Sequence, residues 1–187
     1  MKSSDASILV VPGYSGSGEA HWQARLIAKL PAATRVEQPD WNYGDLATAI
    51  TGVVDAVEKA EKPVAFITHS AGGNLLAHAV PALAAKGLLD RVRGAFIVAP
   101  PSDETLAQLA GLDPAFVPTP RQRLPFKALL VSSSNDPAHR AAEAKALADA
   151  WGADFADAGP AGHINTESGH GPWPEGMMRF AGFLSKL

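Results

Sequence analysis

The segment Thr68-His69-Ser70-Ala71-Gly72-Gly73 stands where an apolar run, Val64 to Ile67, gives way at once to an Ala- and Gly-rich stretch. A serine at such a strand-to-helix junction is held in a strained conformation, with its hydroxyl lifted above the sheet edge. Small residues must flank it, because strand and helix backbones pass close together, and Gly72 and Gly73 meet that need. Thr68 lies two before the serine, where this motif usually has a glycine. A threonine fits there only if a neighbour leaves room. The plainer alternative is a serine that only caps a helix.

A serine hydroxyl is a poor nucleophile at neutral pH and needs a base beside it. Among six histidines, His163 stands in Gly162-His163-Ile164-Asn165, a loop after the last strand candidate. His170 is the rival, in the same glycine-rich region. His21 and His78 fall in or beside helical stretches, and His139 follows Asp136 too closely to suit the base. The base in turn needs an acid to fix its tautomer and stabilise the imidazolium. Asp136 lies just past the apolar run ending at Val131, at the carboxyl end of a strand, where open α/β sheets place their functional groups. The plainer reading of Asp136-Pro137 is a helix entry with proline in first position. The chain order Ser70, Asp136, His163 is that of the α/β hydrolases.

Acyl transfer also needs backbone N–H donors aimed at a tetrahedral oxyanion. Ala71, at the start of the elbow helix, supplies one candidate. The loop Pro12-Gly13-Tyr14-Ser15-Gly16 supplies the other, with Tyr14 first and Ser15 second. This loop lacks both the G-x-x-x-x-G-K-[ST] and G-x-G-x-x-G patterns, which argues against a phosphate cradle. Candidate substrate-pocket residues are Trp41, His69 and His170, although His69, next to the nucleophile, should point away from it. Trp22 is expected in the core, and Trp173 is expected to pack the His163 loop in place.

Positioning these groups requires strands and helices in alternation. Apolar runs at Ile8–Val11, Val64–Ile67, Ala95–Val98 and Ala128–Val131 predict buried strands, with shorter ones expected at Arg35–Gln38 and Ala153–Ala156. Helical periodicity predicts helices at Glu19–Leu30, Leu46–Ala60, Ala71–Ala85, Ala138–Trp151 and Trp173–Lys186. Such alternation implies a parallel sheet with helices on both faces. Six prolines between Pro100 and Pro125 mark a surface excursion near the site, with one short helix expected around Asp103–Ala110.

Composition narrows the function classes. The chain has 187 residues, a length that suits one domain spanning residues 1–187. With 47% apolar and 19% charged residues it is globular rather than disordered. A net charge of −3 argues against a nucleic-acid partner. Absence of cysteine excludes disulfides and thiolate metal sites. The opening apolar run is too short for a signal peptide or a membrane span, so a cytoplasmic, non-membrane protein is expected.

Taken in order, these motifs resemble the small serine hydrolase family that includes retinoblastoma-binding protein nine and related bacterial hydrolases. The resemblance runs through Val11-Pro12-Gly13, His21-Trp22-Gln23, Gln38-Pro39-Asp40-Trp41, the His-Ser-Ala-Gly elbow and Val98-Ala99-Pro100. It continues through Ser134-Asn135-Asp136-Pro137 and Gly162-His163-Ile164-Asn165 into Ser168-Gly169-His170-Gly171. It implies a compact α/β-hydrolase three-layer sandwich without a large cap domain, Ser–Asp–His chemistry and no cofactor, but it names no substrate; a small-molecule acyl substrate and no metal are expected from the candidate residues. Ester hydrolysis through an acyl-enzyme on Ser70 is the expected activity, with thioesters and amides as variants. Two other readings share the fold pattern: an inactive α/β-hydrolase-fold interaction module, and a flavodoxin-like mononucleotide binder.

Overall fold

A computed structural model describes residues 1–187. Six strands run parallel in the order β2-β1-β3-β4-β5-β6. They are β1 (Ser7–Val11), β2 (Ala33–Arg35), β3 (Val64–His69), β4 (Val92–Val98), β5 (Lys127–Ser132) and β6 (Asp154–Asp157). The larger helices are α1 (Trp22–Lys29), α2 (Leu46–Lys59), α3 (Ala71–Ala85), α5 (Ala141–Trp151) and α6 (Pro174–Leu184), with one turn, α4 (Asp103–Leu106), in the proline-rich excursion.

A parallel sheet covered on both faces must be apolar on both, and the strands alternate between two cores. Leu9, Val11, Phe66, Ile97 and Leu130 face α2, α3 and α5. Ile8, Val10, Ile67, Phe96 and Val131 face α1 and α6. The result is an α/β three-layer sandwich with no large cap domain. No helix is long and apolar enough to cross a membrane.

Several boundaries differ from the sequence expectation. Helix α1 begins at Trp22, not Glu19, because His21 turns back as its N-cap and its Nδ1 accepts the Gln23 N–H at 3.2 Å. Strand β2 pairs with β1 through Ala33–Arg35, not Arg35–Gln38. Gln38 instead leaves the sheet and donates its side-chain amide to Ala49 O of α2 at 3.0 Å. Helix α5 starts at Ala141, so Asp136-Pro137 is not a helix entry. The expected helix Asp103–Ala110 is shortened to Asp103–Leu106.

The excursion from Pro100 to Pro125 is tied down along its length. Leu106, Leu112, Phe116 and Leu124 are buried in the core beside α3. Asn74 donates to Pro101 O and Thr119 Oγ1 at 3.2 and 2.8 Å, and Trp151 Nε1 donates to Pro120 O at 2.7 Å.

The strand order reverses between β1 and β3. The chain after β1 moves outward to β2, whereas the chain after β3 moves the other way. Loops leaving adjacent strands in opposite directions open a crevice at their carboxyl ends. The loop Pro12–Gly16 and the Ser70 turn meet there.

Candidate active site

Ser70 joins β3 to α3 with φ 53° and ψ −134°, a conformation that side-chain-bearing residues rarely adopt. Its N–H still continues the sheet, donating to Val98 O at 2.9 Å. The turn holds because its neighbours lack side chains. A Cβ on Gly72 would overlap the carbonyl oxygens of Pro12 and Val11. A Cβ on Gly13 would lie 2.7 Å from Ser70 Cβ. Thr68 is accommodated by Gly73, where a Cβ would lie 3.3 Å from Thr68 Oγ1 and 2.9 Å from Ile97. The missing glycine of the motif has in effect moved across to the facing helix.

His163 Nε2 lies 2.9 Å from Ser70 Oγ. Its Nδ1 lies 3.0 Å from each carboxylate oxygen of Asp136. A carboxylate only accepts, so Nδ1–H donates to Asp136, and Nε2 is left to accept from the serine hydroxyl. The Asp136 side chain is 1% exposed and its Oδ1 also accepts the Ala138 N–H at 2.8 Å. The structure thus brings together three residues separated by 66 and 27 positions in sequence.

The loop carrying His163 is fixed from several sides by residues that the sequence reading did not single out for this role. Asn135 Oδ1 accepts the Gly162 N–H at 2.7 Å, and Ser133 Oγ accepts that of Ala161 at 2.9 Å. Trp22 Nε1 donates to Ile164 O at 2.9 Å from within α1. The signal was present in the Ser134-Asn135-Asp136-Pro137 motif, but it does not say which backbone amide Asn135 receives.

Of the candidate oxyanion donors, Ser15 is corrected: its N–H is committed to Trp41 O at 2.8 Å. Tyr14 N–H and Ala71 N–H have no acceptor within the protein. The loop holding Tyr14 is anchored below by the buried Tyr43, whose hydroxyl donates to Pro12 O at 2.7 Å. It is anchored above by the Tyr14 hydroxyl, which donates to Ala110 O of the excursion.

His69 is also corrected as a pocket residue. It is 5% exposed, and its ring lies 4.8 Å from that of His21 and 5.1 Å from that of His163. Its Nε2–H donates to His163 O at 2.9 Å, so it supports the base from beneath. His170 is half-buried and braces its own loop, its ring edge-on to Trp173 at 6.1 Å. Trp41 is half-buried at the rim of the Tyr14 loop, against Gly16 and under the Arg35 guanidinium at 5.8 Å. Trp22 and Trp173 are both buried in the core behind the His163 loop, their rings 5.2 Å apart.

Burial, and secondarily the nearby His163, lower the pKa of His21 from 6.5 to about 4. Burial first, then His163 and His21, hold His69 well below the ordinary histidine value. Both rings are therefore neutral at neutral pH. No three His, Asp or Glu side chains are grouped to hold a metal ion.

The serine hydrolase family model matches residues 8–182. No curated protein matches the chain in sequence. A YdeN-like hydrolase from Pectobacterium atrosepticum is 29% identical, with a TM-score of 0.81 over 97% of this chain and 91% of that one. The RedJ thioesterase of the prodiginine pathway in Streptomyces coelicolor is 19% identical, with a TM-score of 0.64 over 98% of this chain and 91% of that one. Thermogutta terrifontis esterase 2 is 16% identical, with a TM-score of 0.65 over 100% of this chain and 85% of that one. At those lower identities the likeness is one of fold.

Proposed function

The chain belongs to the serine hydrolase family, and on that premise we propose that it hydrolyses a small ester, or the corresponding thioester or amide, through an acyl-enzyme on Ser70. The observation that carries this reading is the unbroken line from Ser70 Oγ to His163 Nε2 at 2.9 Å and from His163 Nδ1 to Asp136 at 3.0 Å. Residues 1–187 act in it as one domain.

In the first half-reaction, Ser70 Oγ attacks the substrate carbonyl carbon while His163 Nε2 takes the hydroxyl proton. Asp136 holds the imidazolium in orientation and offsets its charge. The carbonyl oxygen, now an anion, moves between Tyr14 N–H and Ala71 N–H. One such donor contributes about 3 kcal/mol to lowering the barrier. As the intermediate collapses, the bond to the leaving group breaks, and Nε2–H passes its proton to that group. Water then repeats the sequence against the acyl-enzyme: Nε2 takes its proton, oxygen adds to the carbonyl, and Ser70 leaves with the proton returned.

An oxygen or sulfur leaving group asks least of the site, since it is expelled more readily than an amine, whose nitrogen must take the proton from His163 before the C–N bond can break. An esterase and a thioesterase share this fold, which fits that choice. The reaction needs a neutral base, so the rate should rise from acid toward neutral pH.

The test is labelling with a fluorophosphonate probe, with the adduct located by mass spectrometry. A single adduct on Ser70, lost in Ser70→Ala and strongly slowed in His163→Ala, is expected. A folded native protein that does not label, or that labels elsewhere, would overturn the assignment.

A further inference from the structure

Behind the His163 loop, on the sheet face covered by α1 and α6, lies a cavity of about 660 Å³ that has no part in the chemistry above. Its volume is within the range of small-molecule sites, roughly 300–1,000 Å³. Its apolar wall includes Trp22, Leu26, Trp173, Met177 and Phe180. Its charged lining residues are Lys2, Arg25 and Lys29, and no acidic residue lines it. Three cations and no anion is a marked local bias in a chain whose net charge is −3.

These cations are uncommitted. None of the three takes part in an ion pair. Arg25 spends only its Nε–H, on Ala20 O at 3.2 Å, leaving its two terminal nitrogens without protein partners. Arg25 and Lys29 are four residues apart, so they share one face of α1. That face also carries Trp22 and Leu26, so the charged ends stand at the rim of an apolar wall. An apolar wall alone does not name a ligand. A wall rimmed on one side by unpaired cations matches a molecule with an apolar tail and one anionic end.

We propose that this cavity binds a single-chain acyl carboxylate, with its tail between α1 and α6 and its carboxylate at Arg25 and Lys29. The site adjoins the catalytic loop without sharing its reacting atoms. Trp22 lines the cavity and donates its Nε1–H to Ile164 O, the residue after His163. Trp173 also lines it and packs on His170. A bound tail therefore stiffens the loop that carries the base.

The experiment is calorimetric titration of the full chain with dodecanoate below its micelle concentration, beside dodecyltrimethylammonium, which has the same tail and the opposite charge. Tryptophan fluorescence, to which Trp22 and Trp173 contribute two of the four emitters, follows binding in parallel. Saturable binding of dodecanoate is expected, with far weaker binding of the cationic amphiphile. The double charge reversal Arg25→Glu with Lys29→Glu, at two exposed positions, should weaken dodecanoate binding at least about tenfold. Met177→Trp, which fills the cavity, should weaken it independently. Ser70→Ala should bind as the native protein does, which separates this site from acid held at the nucleophile. Equal binding of both amphiphiles would overturn the proposal. So would indifference to the charge reversal, loss of binding in Ser70→Ala, or binding only to anionic lipid vesicles and not to the monomeric acid.

Discussion

Replacing Gly13 by alanine tests the assembly of the site with one methyl group. The added Cβ would lie 2.7 Å from Ser70 Cβ, 3.2 Å from Ser70 Oγ and 3.2 Å from His69 O. Carbon atoms in contact prefer about 3.5–4.0 Å, so loop and elbow must separate by about 1 Å. Neither yields easily. The elbow is pinned by Ser70 N–H on Val98 O, and the loop by Tyr43 on Pro12 O. The separation therefore moves Tyr14 N–H away from the oxyanion position. A misplacement of about 1 Å costs about a hundredfold in rate. The assay is the steady-state rate on an activated ester, with fluorophosphonate labelling as a second readout. Gly18→Ala is the control, because nothing lies within 4 Å of a Cβ there. We expect kcat to fall about a hundredfold in Gly13→Ala and to change little in Gly18→Ala, with both proteins folded. A Gly13→Ala protein of native rate would refute the claim that this close approach sets the oxyanion geometry.

Two further predictions follow from the site. Asp136→Asn keeps the shape but lets the His163 tautomer reverse, and kcat should fall by about 10³–10⁴ with little change in KM; a loss under tenfold would remove Asp136 from the mechanism. Acid should destabilise the fold through His21 and His69. Both pKa values are depressed in the folded chain, so the unfolded chain binds more protons below pH 6.5, and stability falls as pH drops from 6.5 toward 4. The His21 shift alone, from 6.5 to about 4, corresponds to roughly 3 kcal/mol across that window. Urea unfolding at several pH values measures it, and His21→Asn, which keeps an N-cap without a titrating ring, should flatten the dependence; an unchanged slope in that variant would show that the loss arises elsewhere.

The central strands were legible because a sheet buried on both faces demands continuous apolar runs, as at Ile8–Val11 and Val64–Ile67. Ser70 and Asp136 were legible as candidates because each follows such a run; His163 follows the short edge strand β6, and its place in the chain order singled it out. Features that depend on partners remote in sequence were not. Whether Ser15 or Tyr14 offers its N–H depends on Trp41 O reaching the loop from 26 residues away. His69 lies beneath the base rather than in the pocket because of the His163 carbonyl, 94 residues on. Strand β2 shifted because Gln38 found its partner on α2. Short edge elements carry little apolar pattern, so their limits are set by such polar bonds rather than by periodicity.

Ser70 and His163, the proposed nucleophile and base, are anchored at different depths in the sheet. Ser70 hangs from β3, an interior strand flanked by β1 and β4, and its own amide is part of the ladder. His163 hangs from the far side of the sheet, beyond β6, an edge strand with no fully buried residue. Loosening that begins at the rim reaches the base before it reaches the serine. Mild denaturant should therefore abolish turnover while most of the sheet signal in circular dichroism persists; coincident loss of both would mean that rim and centre open as one unit. The same asymmetry lets loops on the β6 side change in length and sequence while the attacking atom stays where the centre of the sheet holds it.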